Sequence, residues 1–73
     1  MASQKWISEK AGIYDWKSAD VEPDGIELSK DGARLTIFPA RNKYKYQIHY
    51  LKNNQSVYAQ VDIDQLSQII EME

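Results

Sequence analysis

The sequence predicts an α+β fold, an antiparallel β-meander of four or five strands packed against one C-terminal helix. Two observations carry this expectation. Apolar and polar residues alternate from Ile26 to Val61, and the turn signals Asp31-Gly32 and Lys52-Asn53-Asn54-Gln55 cut that alternation into hairpin-sized pieces. Beyond Val61 the period changes, because Leu66, Ile69 and Ile70 stand at i, i+3 and i+4, the spacing of one helix face. With 73 residues the chain reads as one small domain, divided into an N-terminal strand/loop segment (1–25), the meander (26–61) and the helix (62–72).

Residues 1–25 are the least patterned. Trp6, Ile7, Ile13, Tyr14 and Trp16 are too apolar for a tail. Two short strands around Glu9-Lys10-Ala11-Gly12, or one helical turn and a strand, would both place them in a core. The strand reading over Gly12 to Lys17 is preferred, with Ser18 to Gly25 as a loop.

The meander begins with Ile26-Glu27-Leu28-Ser29-Lys30, followed by Asp31-Gly32 and then Ala33-Arg34-Leu35-Thr36-Ile37-Phe38. Asp-Gly suits a type I′ turn, which needs positive φ at both central residues and whose twist matches a hairpin. Pro39 lacks an N–H donor and ends the second run. A third strand is expected from about Lys43 to Leu51, with Tyr44, Tyr46, Ile48 and Tyr50 on one face and Lys43, Lys45, Gln47 and His49 on the other. Lys52-Asn53-Asn54-Gln55 is a turn by composition, and Val57, Ala59, Val61 and Ile63 form a fourth alternating run. The helix then opens on Asp62, three residues before Gln65, as in a capping box, with Asp62 and Asp64 favoured by the helix dipole. So short a helix needs the sheet to hold its Leu/Ile stripe.

Composition excludes several classes of function. Without cysteine there is no disulfide framework, thiol catalysis or thiolate zinc site, and one histidine rules out paired-histidine metal motifs. No apolar run approaches the roughly 20 residues that cross a bilayer, and Met1-Ala2-Ser3-Gln4-Lys5 leads into no hydrophobic segment. A soluble, cytoplasmic protein with no membrane partner is the expectation. Asp20-Val21-Glu22-Pro23-Asp24-Gly25 opens like an EF-hand calcium loop. However, Pro23, Glu27 at the eighth position, Asp31 at the twelfth and the lack of flanking helices favour a surface loop, so no metal and no cofactor are expected. The glycines, Gly12, Gly25 and Gly32, form no phosphate loop, and Asp62/Asp64 are better read as helix caps than as a catalytic pair. The chain is not expected to be an enzyme.

Charge is sorted along the chain. Residues 34–56 hold five cations (Arg34, Arg41, Lys43, Lys45, Lys52), His49 and no acid, whereas the segments before and after carry net charges of −3 and −4, for a total of −2. If Leu35/Ile37, Ile48/Tyr50 and Val57/Val61 face the helix, the other sheet face displays Arg34, Thr36, Phe38, Lys43, Lys45, Gln47, His49, Tyr58 and Gln60. Cations give salt-dependent affinity for phosphates, and rings stack on unpaired bases without demanding a sequence. The same residues also suit a solvated sheet face whose cations blunt its edges, and the pI of about 5.3 is low for a nucleic-acid binder.

The run from Ile26 to Glu71, four strands and a helix ending in Asp64-Gln65-Leu66-Ser67-Gln68-Ile69-Ile70, resembles the PC4-like single-stranded-DNA-binding domains. That resemblance implies a dimer formed through the helix and unpaired strands bound across the sheet. Lys52-Asn53-Asn54-Gln55-Ser56 stands where that family usually has a Lys/Gly-rich stretch.

The expected function is non-catalytic binding of single-stranded DNA or RNA. Arg34, Arg41, Lys43, Lys45 and Lys52 are the phosphate contacts, Phe38 and Tyr58 the stacking rings, and His49 lies among them. With the sheet reversed, Tyr44, Tyr46 and Tyr50 would stack instead. The alternative is a small regulator or inhibitor that acts by protein–protein contact, meeting an acidic protein partner with the basic face or using Trp6 and Trp16 as interface anchors. A homodimer is compatible with either.

Overall fold

In the computed structural model, which describes residues 3–42 and 44–72, the chain runs α1 (Ser3–Ile13), β1 (Lys17–Val21), β2 (Gly25–Lys30), β3 (Ala33–Pro39), β4 (Lys45–Lys52), β5 (Gln55–Asp62) and α2 (Ile63–Met72). The strands form one five-stranded sheet in the order β1-β2-β3-β4-β5, with every neighbouring pair antiparallel. This is the α+β meander with a C-terminal helix that the alternation predicts. One more helix stands at the N-terminus.

The turns follow from local chemistry. Asp31 (φ 42°) and Gly32 (φ 82°) join β2 to β3, and Asn53 (φ 53°) and Asn54 (φ 65°) join β4 to β5. Both are two-residue links with positive φ at each position, as a type I′ hairpin requires. Between β3 and β4, the Tyr44 amide donates to Asn42 Oδ1 at 2.9 Å and the Lys45 amide to the Asn42 carbonyl at 2.9 Å. Pro39 closes β3.

Register puts Ile26, Ile37, Ile48 and Ala59 in one row of the sheet, and Leu28, Leu35, Tyr50 and Val57 in the next. Both rows lie on the face that receives the helices. Leu28 and Leu35 are completely buried there with Leu66 and Ile70 of α2, and Ile7 and Ala11 of α1 join the same cluster. Helix α1 packs on β1 and β2, α2 packs on β4 and β5, and the helices touch each other. Full burial of each such Leu or Ile side chain is worth about 1.5–3 kcal/mol, a large fraction of what holds so small a domain together.

The N-terminal third corrects the sequence reading. Gly12–Lys17 is not a strand, because α1 continues to Ile13, and the loop expected over Ser18–Gly25 shrinks to the turn Glu22-Pro23-Asp24, because Lys17–Val21 pairs with Gly25–Ser29. The helix ends in a Schellman motif. Asp15 takes the left-handed position (φ 69°), the Trp16 amide donates to the Ala11 carbonyl at 2.9 Å, and the Asp15 amide donates to the Gly12 carbonyl at 3.2 Å. Reversing the chain there drives Trp16 into the core, where its Nε1 donates to the Ile70 carbonyl at 3.0 Å. The acidic stretch read against a calcium loop is the end of β1 and the link to β2, with a cis Glu22–Pro23 peptide.

Candidate nucleic-acid interface

Both helices lie on one side, so the opposite sheet face is uncovered. Its composition follows from the strand registers. One row across the sheet reads Lys17, Ser29, Arg34, Leu51, Ser56, and the next reads Ala19, Glu27, Thr36, His49, Tyr58. A third holds Phe38, Gln47 and Gln60, and beyond it Lys45 stands opposite Asp62. Arg34, Phe38, Lys45, His49 and Tyr58, all expected on the binding face, therefore do share one surface.

Tyr58, on edge strand β5, and His49, on β4 beside it, form the stacked pair of that surface. Their rings are parallel within 1° and 4.2 Å apart between centroids, and Tyr58 is 77 % exposed. The pairing arises because the two residues are direct cross-strand neighbours, where side chains on one pleat approach closely. His49 Nε2 is buried without a hydrogen-bond partner, the one such side-chain atom among the described residues. The Tyr58 ring thus has the His49 imidazole behind it and remains open to solvent.

Phe38 takes a different role from the one expected. It is half-buried, and its ring lies over Gly25, so closely that a Cβ at position 25 would overlap the ring atoms. The ring fills the gap left by a residue without a side chain at the end of β2, which fixes Phe38 as a packing residue rather than an open stacking platform.

Charge on this face is more balanced than the linear sequence shows. Arg34 Nε lies 3.1 Å from Glu27 Oε2, and Lys45 pairs in register with Asp62. Glu27 comes from the acidic N-terminal half of the sequence, but hairpin pairing carries it next to the basic strands. Conversely Lys17, which β1 delivers to the Arg34 row, is a cation the sequence reading passed over. Lys17, Ser29, Arg34 and Leu51 border an open depression of about 570 Å³, with Asp15 and the β2–β3 turn completing its rim. Finding Lys17 would have required recognising β1, whose residues are nearly all exposed and whose alternation is limited to Ala19 and Val21.

The remaining expected contacts separate. Arg41 is exposed in the β3–β4 connection, and Lys43 lies outside the described residues. Lys52 pairs with Ala33 and Gln55 on the helix-bearing face, so it cannot share a surface with Arg34. On that same side Tyr46 is buried and Tyr50 half-buried, which closes the reversed-sheet reading for both, while Tyr44 is exposed in the turn before β4. The two tryptophans belong to the core. Trp16 is buried and cannot anchor a partner, and half-buried Trp6 packs edge-on against Tyr46, 6.5 Å between centroids.

Among the described residues no three acidic or histidine side chains gather as a metal site, and no helix is long and apolar enough to cross a membrane. Comparison with known proteins finds no family model, no curated protein and no solved structure that matches the chain. The PC4-like resemblance had four strands and one helix to rest on, where the chain has five strands and two helices.

Proposed function

We propose that the protein is a non-catalytic binding domain whose uncovered sheet face receives a single-stranded nucleic acid. The observation that carries this reading is the Tyr58–His49 stack, an exposed ring backed by an imidazole toward the β5 edge of a polar sheet face. An unpaired base presents a flat π-surface of matching shape, and such stacking tolerates any sequence. Arg34 on β3, next to the His49 strand, Lys45 on the His49 strand itself and Lys17 on the far edge strand β1 supply phosphate contacts across the face. Gln47, Gln60 and Thr36 offer neutral donors and acceptors between them.

Binding through three phosphates predicts a moderate salt dependence. For single strands the affinity exponent is about −0.7 per phosphate, so raising salt from about 50 to 200 mM should weaken binding roughly ten- to twenty-fold. Glu27 makes a sharper test. Its carboxylate sits against Arg34, so Glu27→Gln should free the guanidinium and tighten binding several-fold at low salt. A labelled oligonucleotide followed by fluorescence anisotropy measures both effects. No binding at low salt, or Glu27→Gln weakening it, contradicts the proposal.

A second reading has its own support. Glu27 and Asp62 interleave with Arg34 and Lys45, and such mixed charge also suits the rim of a protein interface. On that reading the chain is a small regulator, and extracts would yield one stoichiometric protein partner that survives nuclease while oligonucleotides fail to bind.

A further inference from the structure

The two edges of the sheet are built differently. Edge strand β1 is five residues long and carries Lys17 and Asp20. Edge strand β5 is eight residues long, and Gln55 to Val61 contains no charge and no proline. Sheet edges with unpaired N–H and C=O groups are ordinarily blunted by shortness, charge or proline, and only β1 is blunted here. The side chains of β5 are exposed from Gln55 to Gln60. On its helix-bearing side it borders an apolar groove of about 220 Å³, formed with Tyr50, Val57, Ala59, Ile69 and Met72 among others. That volume is below the roughly 300 Å³ where small-molecule pockets begin, so a few aliphatic side chains suit it better than a ligand.

We infer that β5 is the seam of a two-fold homodimer, in which β5 pairs antiparallel with β5 of a second copy. Charge selects this occupant. A two-fold axis normal to the sheet, lying just outside β5 and level with its middle, lays uncharged strand beside uncharged strand and sends the two Asp62 carboxylates to opposite ends of the seam. The same operation brings the acidic start of each α2, with Asp64, alongside the other copy's β4–β5 turn. Lys52 stands at that turn on the helix-bearing face. Each Val57, 52 % exposed in one chain, then packs against the partner's strand and helix. The contact is isologous and closes on itself, whereas β5 on β1 would propagate without end. On the uncovered face the two Tyr58 rings become neighbours across the seam, joining two stacking platforms into one. The seam itself does not depend on what that face binds.

Sedimentation equilibrium from about 1 μM to 1 mM tests the inference. The 8.5 kDa chain should reach twice that mass, and Val57→Lys, which places a cation on an exposed position of the seam, should weaken dimerisation at least ten-fold with an unchanged circular dichroism spectrum. Hydrogen exchange on the unaltered protein gives an independent readout, because the β5 amides facing away from β4 should become protected as concentration rises. A chain that stays at 8.5 kDa throughout, a Val57→Lys variant that dimerises like the parent, or β5 amides protected only by a different protein would each overturn it.

Discussion

Asp15 ends α1 in the left-handed conformation, φ 69°, where a Cβ crowds the following carbonyl. Glycine usually fills this position of a Schellman motif, since it has no Cβ to crowd. Asp15→Gly should therefore stabilise the protein by up to about 1 kcal/mol, with the looser unfolded chain offsetting part of the gain. In a domain this size that raises the melting temperature by up to about 4–8 °C, and a lower melting temperature would contradict the cap as described. Asp15 also shows why α1 was not legible. A helix end is legible from glycine and from apolar spacing, and Asp15 supplies the turn without the first. The second is thin, because Ile13 is 75 % exposed and, among the described side chains of α1, Ile7 and Ala11 alone are fully buried. By contrast, Asp31-Gly32 and Asn53-Asn54 advertise their turns because positive φ is easiest for those residue types.

At the scale of elements, α2 is anchored at both ends. At its start Asp62 and Gln65 form the capping box the sequence predicts. The Gln65 amide donates to Asp62 Oδ1 at 2.8 Å, and the Asp62 amide to Gln65 Oε1 at 3.0 Å. At its end Trp16 Nε1 donates to the Ile70 carbonyl, one of the last-turn carbonyls that no amide of the helix can reach. No local pattern announces a bond spanning 54 residues. Trp16→Phe should remove at least about 1 kcal/mol and leave that carbonyl unpaired, with amide exchange in the last turn of α2 accelerating more than in β3. Equal acceleration everywhere would mean Trp16 acts through bulk alone. Lys10 Nζ adds a second tie between the helices, 2.6 Å from Glu71 Oε2. The hydrogen bond to Glu71 raises the Lys10 pKa above its ordinary 10.5, so its contribution is complete below that pH and is lost as pH climbs past the raised value. Strand β1, unlike β3, was not legible. Backbone pairing to β2 holds it, and its mostly exposed side chains leave no period to read.

For the whole molecule, folding redistributes the charge that is sorted in the sequence. Alternation alone predicted which side chains share the uncovered face, and Arg34, Lys45, His49 and Tyr58 stand there together. It gave no sign that Glu27 would come back beside Arg34, or that Phe38 would lie on Gly25. Both depend on which strand neighbours which, a property of topology rather than of any one run. The basic middle of the sequence thus becomes a face of mixed charge that carries one exposed aromatic stack toward its β5 edge. Tyr58 is accordingly the residue on which the functional account turns. Titrating a fluorescent single-stranded oligonucleotide with the protein and with Tyr58→Ala at low salt tests it directly. Loss of one base-stacking platform should weaken binding roughly five- to hundred-fold, while Tyr58→Phe retains it. Equal affinity of Tyr58→Ala and the parent, or no measurable binding by either, would contradict the account.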